Sequence, residues 1–137
     1  MNPFGVELDT QALEIAKFLG IDAFKGNLVD FISEKKYDLI TLLDFVEHPL
    51  KPMDTLRKAS ELLKPGGLLA IWTSKGDFEC FEKTPTTFRV DFEHMQYFTT
   101  DTCLFVASKL RLRVVHLETR RKDWLISSFL YHAKTCL

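Results

Sequence analysis

With 137 residues, 46% of them hydrophobic and 27% charged, the chain has the balance of one globular domain, which excludes a disordered or fibrous protein. A formal net charge of -1 supplies no general attraction for nucleic acid or an anionic membrane surface, and no apolar run approaches the ~20 residues of a membrane helix. Cys80, Cys103 and Cys136 are odd in number and lack metal-ligand spacing, so a reducing compartment and, with no basic-then-apolar leader, a cytoplasmic location are expected.

Phe4 to Leu8 reads as a short strand interrupted by Glu7. Asp9 or Thr10 then caps a helix carrying Ala12, Leu13, Ala16 and Leu19 on one side and closed by Gly20. A weaker strand covers Ile21 to Lys25, with Gly26-Asn27 as its exit and Leu28 to Ser33 as a helical or irregular connection. Tyr37 to Trp72 forms one βαβ unit. Its first strand, Leu39-Ile40-Thr41-Leu42-Leu43, is apolar without alternation, the pattern of a parallel strand covered on both faces. Asp44 ends it. From Met53 the apolar positions Leu56, Ala59, Leu62 and Leu63 mark a helix face, and Pro65 with Gly66-Gly67 stops the helix before the strand Leu68 to Trp72. Ligands of such sheets lie beyond the carboxyl ends of the strands, which puts Asp44, Phe45, Val46, Glu47 and His48 where chemistry is expected.

Residues 74–98 lose periodicity while gathering Phe78, Phe81, Phe88, Phe92, Tyr97 and Phe98, the composition of a lid-like insertion. Thr99-Thr100-Asp101 starts a helix with Leu104, Val106, Ala107 and Leu110, ending near Arg111. Leu112 to Leu117 and Leu125 to Tyr131, separated by a polar segment, make a C-terminal antiparallel hairpin. The basic residues Arg111, Arg113, Arg120, Arg121 and Lys122 cluster here without interleaved aromatics for base stacking, and read as solvated surface. No internal repeat or second domain is evident, so 1–137 is read as a single partial domain.

Three stretches, GVELDTQALEIAK, YDLITLLDFVEHPLKPMDTLRKASELLKPGGLLAI and EHMQYFTTDTC followed by RVVHLE, resemble the class I S-adenosylmethionine-dependent methyltransferases, in particular those similar to ubiquinone-biosynthesis O-methyltransferases. The resemblance covers nearly the whole chain. It implies a Rossmann-like α/β sheet with S-adenosyl-L-methionine as cofactor and a small-molecule nucleophile as methyl acceptor. Residue by residue, Glu7 matches the carboxylate that accepts hydrogen bonds from both ribose hydroxyls, Leu8 packs on the adenine, and Asn27 and Leu28 read the adenine edge. Asp44 and Phe45 line the methionine part. Glu47 and His48 match the family's Glu-His pair. With Asp44 they form a candidate divalent-ion set, since two carboxylates and an imidazole suit Mg²⁺ or Zn²⁺. Structural use of the pair, with no metal, is the expectation. His94 and Tyr97 match a segment beside the substrate cleft or one that only anchors the lid. If a general base is used, His48 or His94 supplies it, because imidazole exchanges protons near neutral pH.

The chain departs from the family twice. Where the family's last helix ends at a glycine, this sequence has Arg111, which costs about 1 kcal/mol in a left-handed cap or indicates another helix end. The family's first strand and the glycine-rich loop after it should precede Gly5, and no G-x-G pattern stands elsewhere. That strand lies in the middle of the family sheet, with the second and third on one side and the fourth, fifth, seventh and sixth on the other. The expectation is therefore an N-terminally truncated sheet, inactive alone, that self-associates or takes up the missing N-terminal segment through exposed strand edges. The alternative is a catalytically silent fragment that binds or stabilises a partner.

Overall fold

The computed structural model describes residues 2–73, 94–119 and 127–132, which fall into two compact units, Met1–Lys35 and Lys36–Leu137. The first unit contains β1 (Phe4–Glu7), α1 (Thr10–Phe18), β2 (Asp22–Lys25) and a short 3-10 turn (Leu28–Asp30). The strands pair in parallel, from Phe4 opposite Asp22 to Glu7 opposite Lys25. Asp9 caps α1 by accepting from the Ala12 N–H at 2.8 Å. At its other end Gly20 takes φ +72°, and the Ile21 N–H reaches back to the Ala16 carbonyl at 2.9 Å, closing the helix as its glycine predicts. Phe31 is the buried residue of this unit, in ring contact with Phe4 at 5.2 Å and Phe24 at 5.3 Å. No residue of α1 is buried.

The second unit contains β3 (Tyr37–Leu43), α2 (Pro52–Leu62), β4 (Leu63–Thr73), α3 (Thr100–Lys109), β5 (Arg113–Thr119) and β6 (Ser127–His132). Its sheet runs β3-β4-β6-β5, with β3 and β4 parallel and β6 antiparallel to both neighbours. The expected C-terminal hairpin is thus β5 with β6, and β6 enters between β4 and β5. Leu56, Ala59 and Leu62 from α2 and Cys103, Val106 and Ala107 from α3 are buried, as are Leu42, Leu69 and Ile71 from the sheet. These side chains are the core of the unit.

Two details differ from what the sequence predicts. The Pro65-Gly66-Gly67 stretch lies inside β4 as an irregularity, because the helix has already ended at Leu62 and pairing jumps from Tyr37 opposite Leu63 to Leu39 opposite Leu68. Gly67 is needed there: a Cβ would sit 3.0 Å from the carbonyl oxygens of both Lys64 and Tyr37. Lys64 holds the bulge from outside, its ammonium 2.9 and 2.8 Å from the two oxygens of Asp38. The second difference concerns β3, which is covered on one face and not both. Leu39, Thr41 and Leu43 are exposed, Leu43 by 58%, while Leu42 on the opposite face is buried. Among the described strands β3 is an edge, bonded only to β4. An apolar run without alternation therefore does not guarantee two covered faces.

At the end of α3 the first of the two alternatives for Arg111, a left-handed cap, is present. Arg111 adopts φ +55°, its N–H bonded to the Ser108 carbonyl at 3.1 Å, and the Leu112 N–H bonds to the Ala107 carbonyl at 2.8 Å. The helix keeps the family's left-handed end with arginine in it. Of the expected lid, 74–93 lie outside the described residues; 94–98 form an irregular connection that leads towards α3, with a single bridge at Phe98. Arg120, Arg121 and Lys122 of the basic cluster, with Cys80 and Cys136, also lie outside them. No helix among the described residues is long and apolar enough to cross a membrane.

Candidate functional site

In the first unit, the parallel register brings the exits of β1 and β2 to the same end, and the Gly26 N–H ties them by bonding to the Glu7 carbonyl at 3.0 Å. The Glu7 carboxylate folds over its own strand exit. Its Oε1 accepts from the N–H groups of Leu8 at 2.7 Å and Asp9 at 2.8 Å. Two backbone donors on one oxygen fix the carboxylate, and Oε2 accepts no hydrogen bond among the described residues. Leu8 beside it is 60% exposed. Asn27 follows at the exit of β2, exposed and donating to Asp30 Oδ2 at 3.3 Å, with Leu28 half-buried after it. Glu7, Leu8, Asn27 and Leu28 thus stand at one end of a two-stranded sheet.

In the second unit, the Asp44 N–H continues the β3–β4 ladder by bonding to the Trp72 carbonyl at 2.8 Å, and then Asp44 turns to φ +50°. Asp is among the few residues that enter this region at modest cost, and such a conformation at a strand exit marks a shaped site. Phe45 is part-exposed at 37%, and the His48 N–H closes a turn onto the Phe45 carbonyl at 3.1 Å. Val46 and Glu47 go inward, Glu47 with no exposed surface. The N–H groups of Met95 and Gln96 bond to the Glu47 carbonyl at 2.9 and 3.3 Å, fastening the segment after the expected lid to this loop.

That fastening brings His94 into the site. One ligand atom from each of Asp44, Glu47, His48 and His94 lies within 4.8 Å of the others, and the rings of His48 and His94 meet edge to face with centroids 4.8 Å apart. The Tyr97 ring also meets that of His94 edge to face, with centroids 5.9 Å apart. His94, which the sequence matches to a segment beside the substrate cleft or to a lid anchor, thus lies beside the Glu-His pair. Four donors of this kind suit a divalent ion chemically. Zinc with bonds of ~2.0–2.2 Å, however, needs tetrahedral donors roughly 3.4 Å apart, so the spread to 4.8 Å would have to contract. The donor set is right and the spacing is loose.

Sequence reasoning missed Thr73 and Gln96. Thr73, last in β4 and next to the Asp44 exit, is fully buried with an Oγ1 that has no hydrogen-bond partner among the described residues. A threonine ending a strand gives no signal of this. Gln96 donates from Nε2 to loop carbonyls, which only the path of the backbone reveals.

A sequence profile described as a methyltransferase domain matches residues 3–117. Among curated proteins, the chain is 30% identical over 81 residues to a ubiquinone biosynthesis O-methyltransferase of Actinobacillus pleuropneumoniae, a match spanning 50% of this chain and 35% of that protein. The chain thus corresponds to about a third of the length of the curated relatives it matches. A SAM-dependent methyltransferase structure from Methanosarcina mazei superimposes with a TM-score of 0.73 at 12% identity, covering 95% of this chain and 81% of that one. The complex between the Haloferax volcanii Trm112 methyltransferase activator and a methyltransferase gives a TM-score of 0.75 at 11% identity, covering 100% of this chain and 74% of that one. At such identities these structures speak to fold, and the profile, spanning most of the sequence, carries the assignment: the chain belongs to the class I S-adenosylmethionine-dependent methyltransferase family.

Proposed function

We propose that this chain carries the ribose-binding and acceptor sides of a methyltransferase site and takes part in methyl transfer to an oxygen nucleophile of a small molecule, without activity as the isolated 137-residue chain. The observation that carries the reading is the Glu7 carboxylate, fixed through Oε1 by two backbone N–H groups and leaving Oε2 for a hydroxyl partner. A ribose diol needs such a preset acceptor. Leu8 offers an exposed apolar surface for the adenine, and Asn27 with Leu28 its edge contacts. Asp44 and Phe45 line the methionine end, where the sequence has no glycine-rich loop to complete the cradle. The residues present therefore fit the nucleoside half of the cofactor.

When bound, S-adenosylmethionine supplies a methyl group made electrophilic by its sulfonium. The chain's own contribution is to hold the acceptor oxygen in line and exclude water, effects worth up to ~7–11 kcal/mol in favourable cases. His48 or His94 accepts the proton leaving the acceptor hydroxyl. Glu47 ties the loop from inside, and the reading assigns the Asp44, Glu47 and His48 set no metal.

A second reading, a silent fragment that binds or stabilises a partner, draws on the exposed face of Leu39 and Leu43 on an edge strand. Calorimetric titration separates the two. In any form that binds S-adenosylmethionine, including one supplied with a strand and glycine loop, Glu7→Ala should weaken binding by roughly 1.5–3 kcal/mol, about ten- to more than a hundredfold. Unchanged affinity with the fold intact removes Glu7 from the site; no binding in any form leaves the partner reading.

A further inference from the structure

The loop that carries Glu47 and His48 is fastened by residues that follow it far along the chain. Between the Asp44 turn and the start of α2, the His48 N–H bonds to the Phe45 carbonyl and the Lys51 carbonyl accepts from Asp54 and Thr55, while the Glu47 carbonyl accepts from Met95 and Gln96. Gln96 is the centre of that contact. Its backbone N–H and that of Met95 both donate to the Glu47 carbonyl, while its side-chain Nε2 faces the carbonyls of Val46 at 3.2 Å, Glu47 at 3.5 Å and Pro49 in close contact. Three carbonyls of one loop therefore point at one amide nitrogen. Turning the amide over would set oxygen against oxygen, so this arrangement has a single orientation.

Gln96 sits two residues after His94, and the loop it gathers contains His48. The same side chain thus links the two segments that carry these rings, which meet with centroids 4.8 Å apart. We propose that Gln96 is a positioning residue: by donating to the carbonyls of the 46–49 loop it holds His48 against His94 and keeps both, with Asp44 and Glu47, in one cluster. The inference rests on reading residues 44–48 as part of the site. What it requires of position 96 is a donor. A side chain of similar length without N–H groups leaves part-buried carbonyls unpaired, and a carboxylate there faces them with like charge density.

The test uses the 137-residue chain, co-expressed with the family's strand-and-glycine-loop peptide where the chain alone aggregates, and reads by NMR the nuclear Overhauser contact between the His48 and His94 rings. Gln96→Met, similar in length but without donors, and Gln96→Glu should lose this contact, whereas Gln96→Lys, which restores donors, should keep it. Loss in Met and Glu with retention in Lys supports the inference, as does unfolding of the Met variant when the Lys variant folds with the contact intact. Persistence of the contact in Gln96→Met, or a Gln96→Lys chain that lacks it or fails to fold, overturns the inference. Because the ring contact is read without cofactor and Glu7→Ala is read by cofactor affinity, the clamp and the methyltransferase reading fail separately.

Discussion

The two units solve the same problem with unequal means. In the first, α1 lies beside a two-stranded sheet and buries none of its residues; Phe18 is 89% exposed and Ile15 60%. In the second, α2 buries Thr55, Leu56, Ala59, Ser60 and Leu62 around a four-stranded sheet. A helix is held mostly by the packing of its apolar face, and a pair of strands is marginal alone, so stability resides in residues 36–137 and the 1–35 unit is the part that needs support.

The sharpest way to break this comparison is a matched pair of truncations. Leu56→Ala, at 1% exposure, should cost about 2–5 kcal/mol in denaturant unfolding, while Phe18→Ala should fall within ~0.5 kcal/mol. Equal costs would mean that α1 packs in solution on something it does not touch here. The next largest effect concerns assembly. With an apolar face and edge exposed at β3, the isolated chain should elute in size-exclusion chromatography above its 15.9 kDa mass or aggregate, and co-expression with a strand-and-glycine-loop peptide of the family should bring it to a defined complex. A stable monomer would show that the edge is protected.

Two smaller predictions probe how well the second unit is finished. Arg111→Gly should stabilise it by up to about 1 kcal/mol, since glycine holds a positive φ without the Cβ clash, and an unchanged or lowered melting temperature would place a compensating contact on the arginine. The smallest effect belongs to the solvent-exposed Asp38. Its hydrogen bonds from the Lys64 ammonium lower its pKa below the usual carboxylate value of 3.8. A depressed folded-state pKa makes the contribution present above the unfolded value and lost as pH falls through the folded one. Asp38→Asn should therefore trim stability slightly at neutral pH and leave it unchanged in strong acid, as read by parallel urea titrations.

Much of this was legible in the residues. The helix cap at Asp9, the Gly20 stop, the βαβ unit and the terminal hairpin are local signals, and local signals survive whatever surrounds them. The strand at Leu39 to Leu43 shows where legibility ends: its composition records an environment with two covered faces, but whether those covers exist depends on other parts of a sheet. The site divides the same way. Glu7 and Asp44 are strand exits, visible as breaks in apolar runs, whereas the meeting of His94 with His48 depends on backbone carbonyls accepting from Gln96, and carbonyls are common to every residue.

Trp72 stands opposite Leu43 at the end of the open face, half-buried at the end of the β3–β4 ladder. An indole there acts as a built-in optical gauge. Whatever lies down over Leu39 and Leu43 must dehydrate it, so in a Trp124→Phe background its emission should move to shorter wavelength when the face is occupied. The opening in the sheet would then announce its own closure, without a label and before the identity of the covering chain is known.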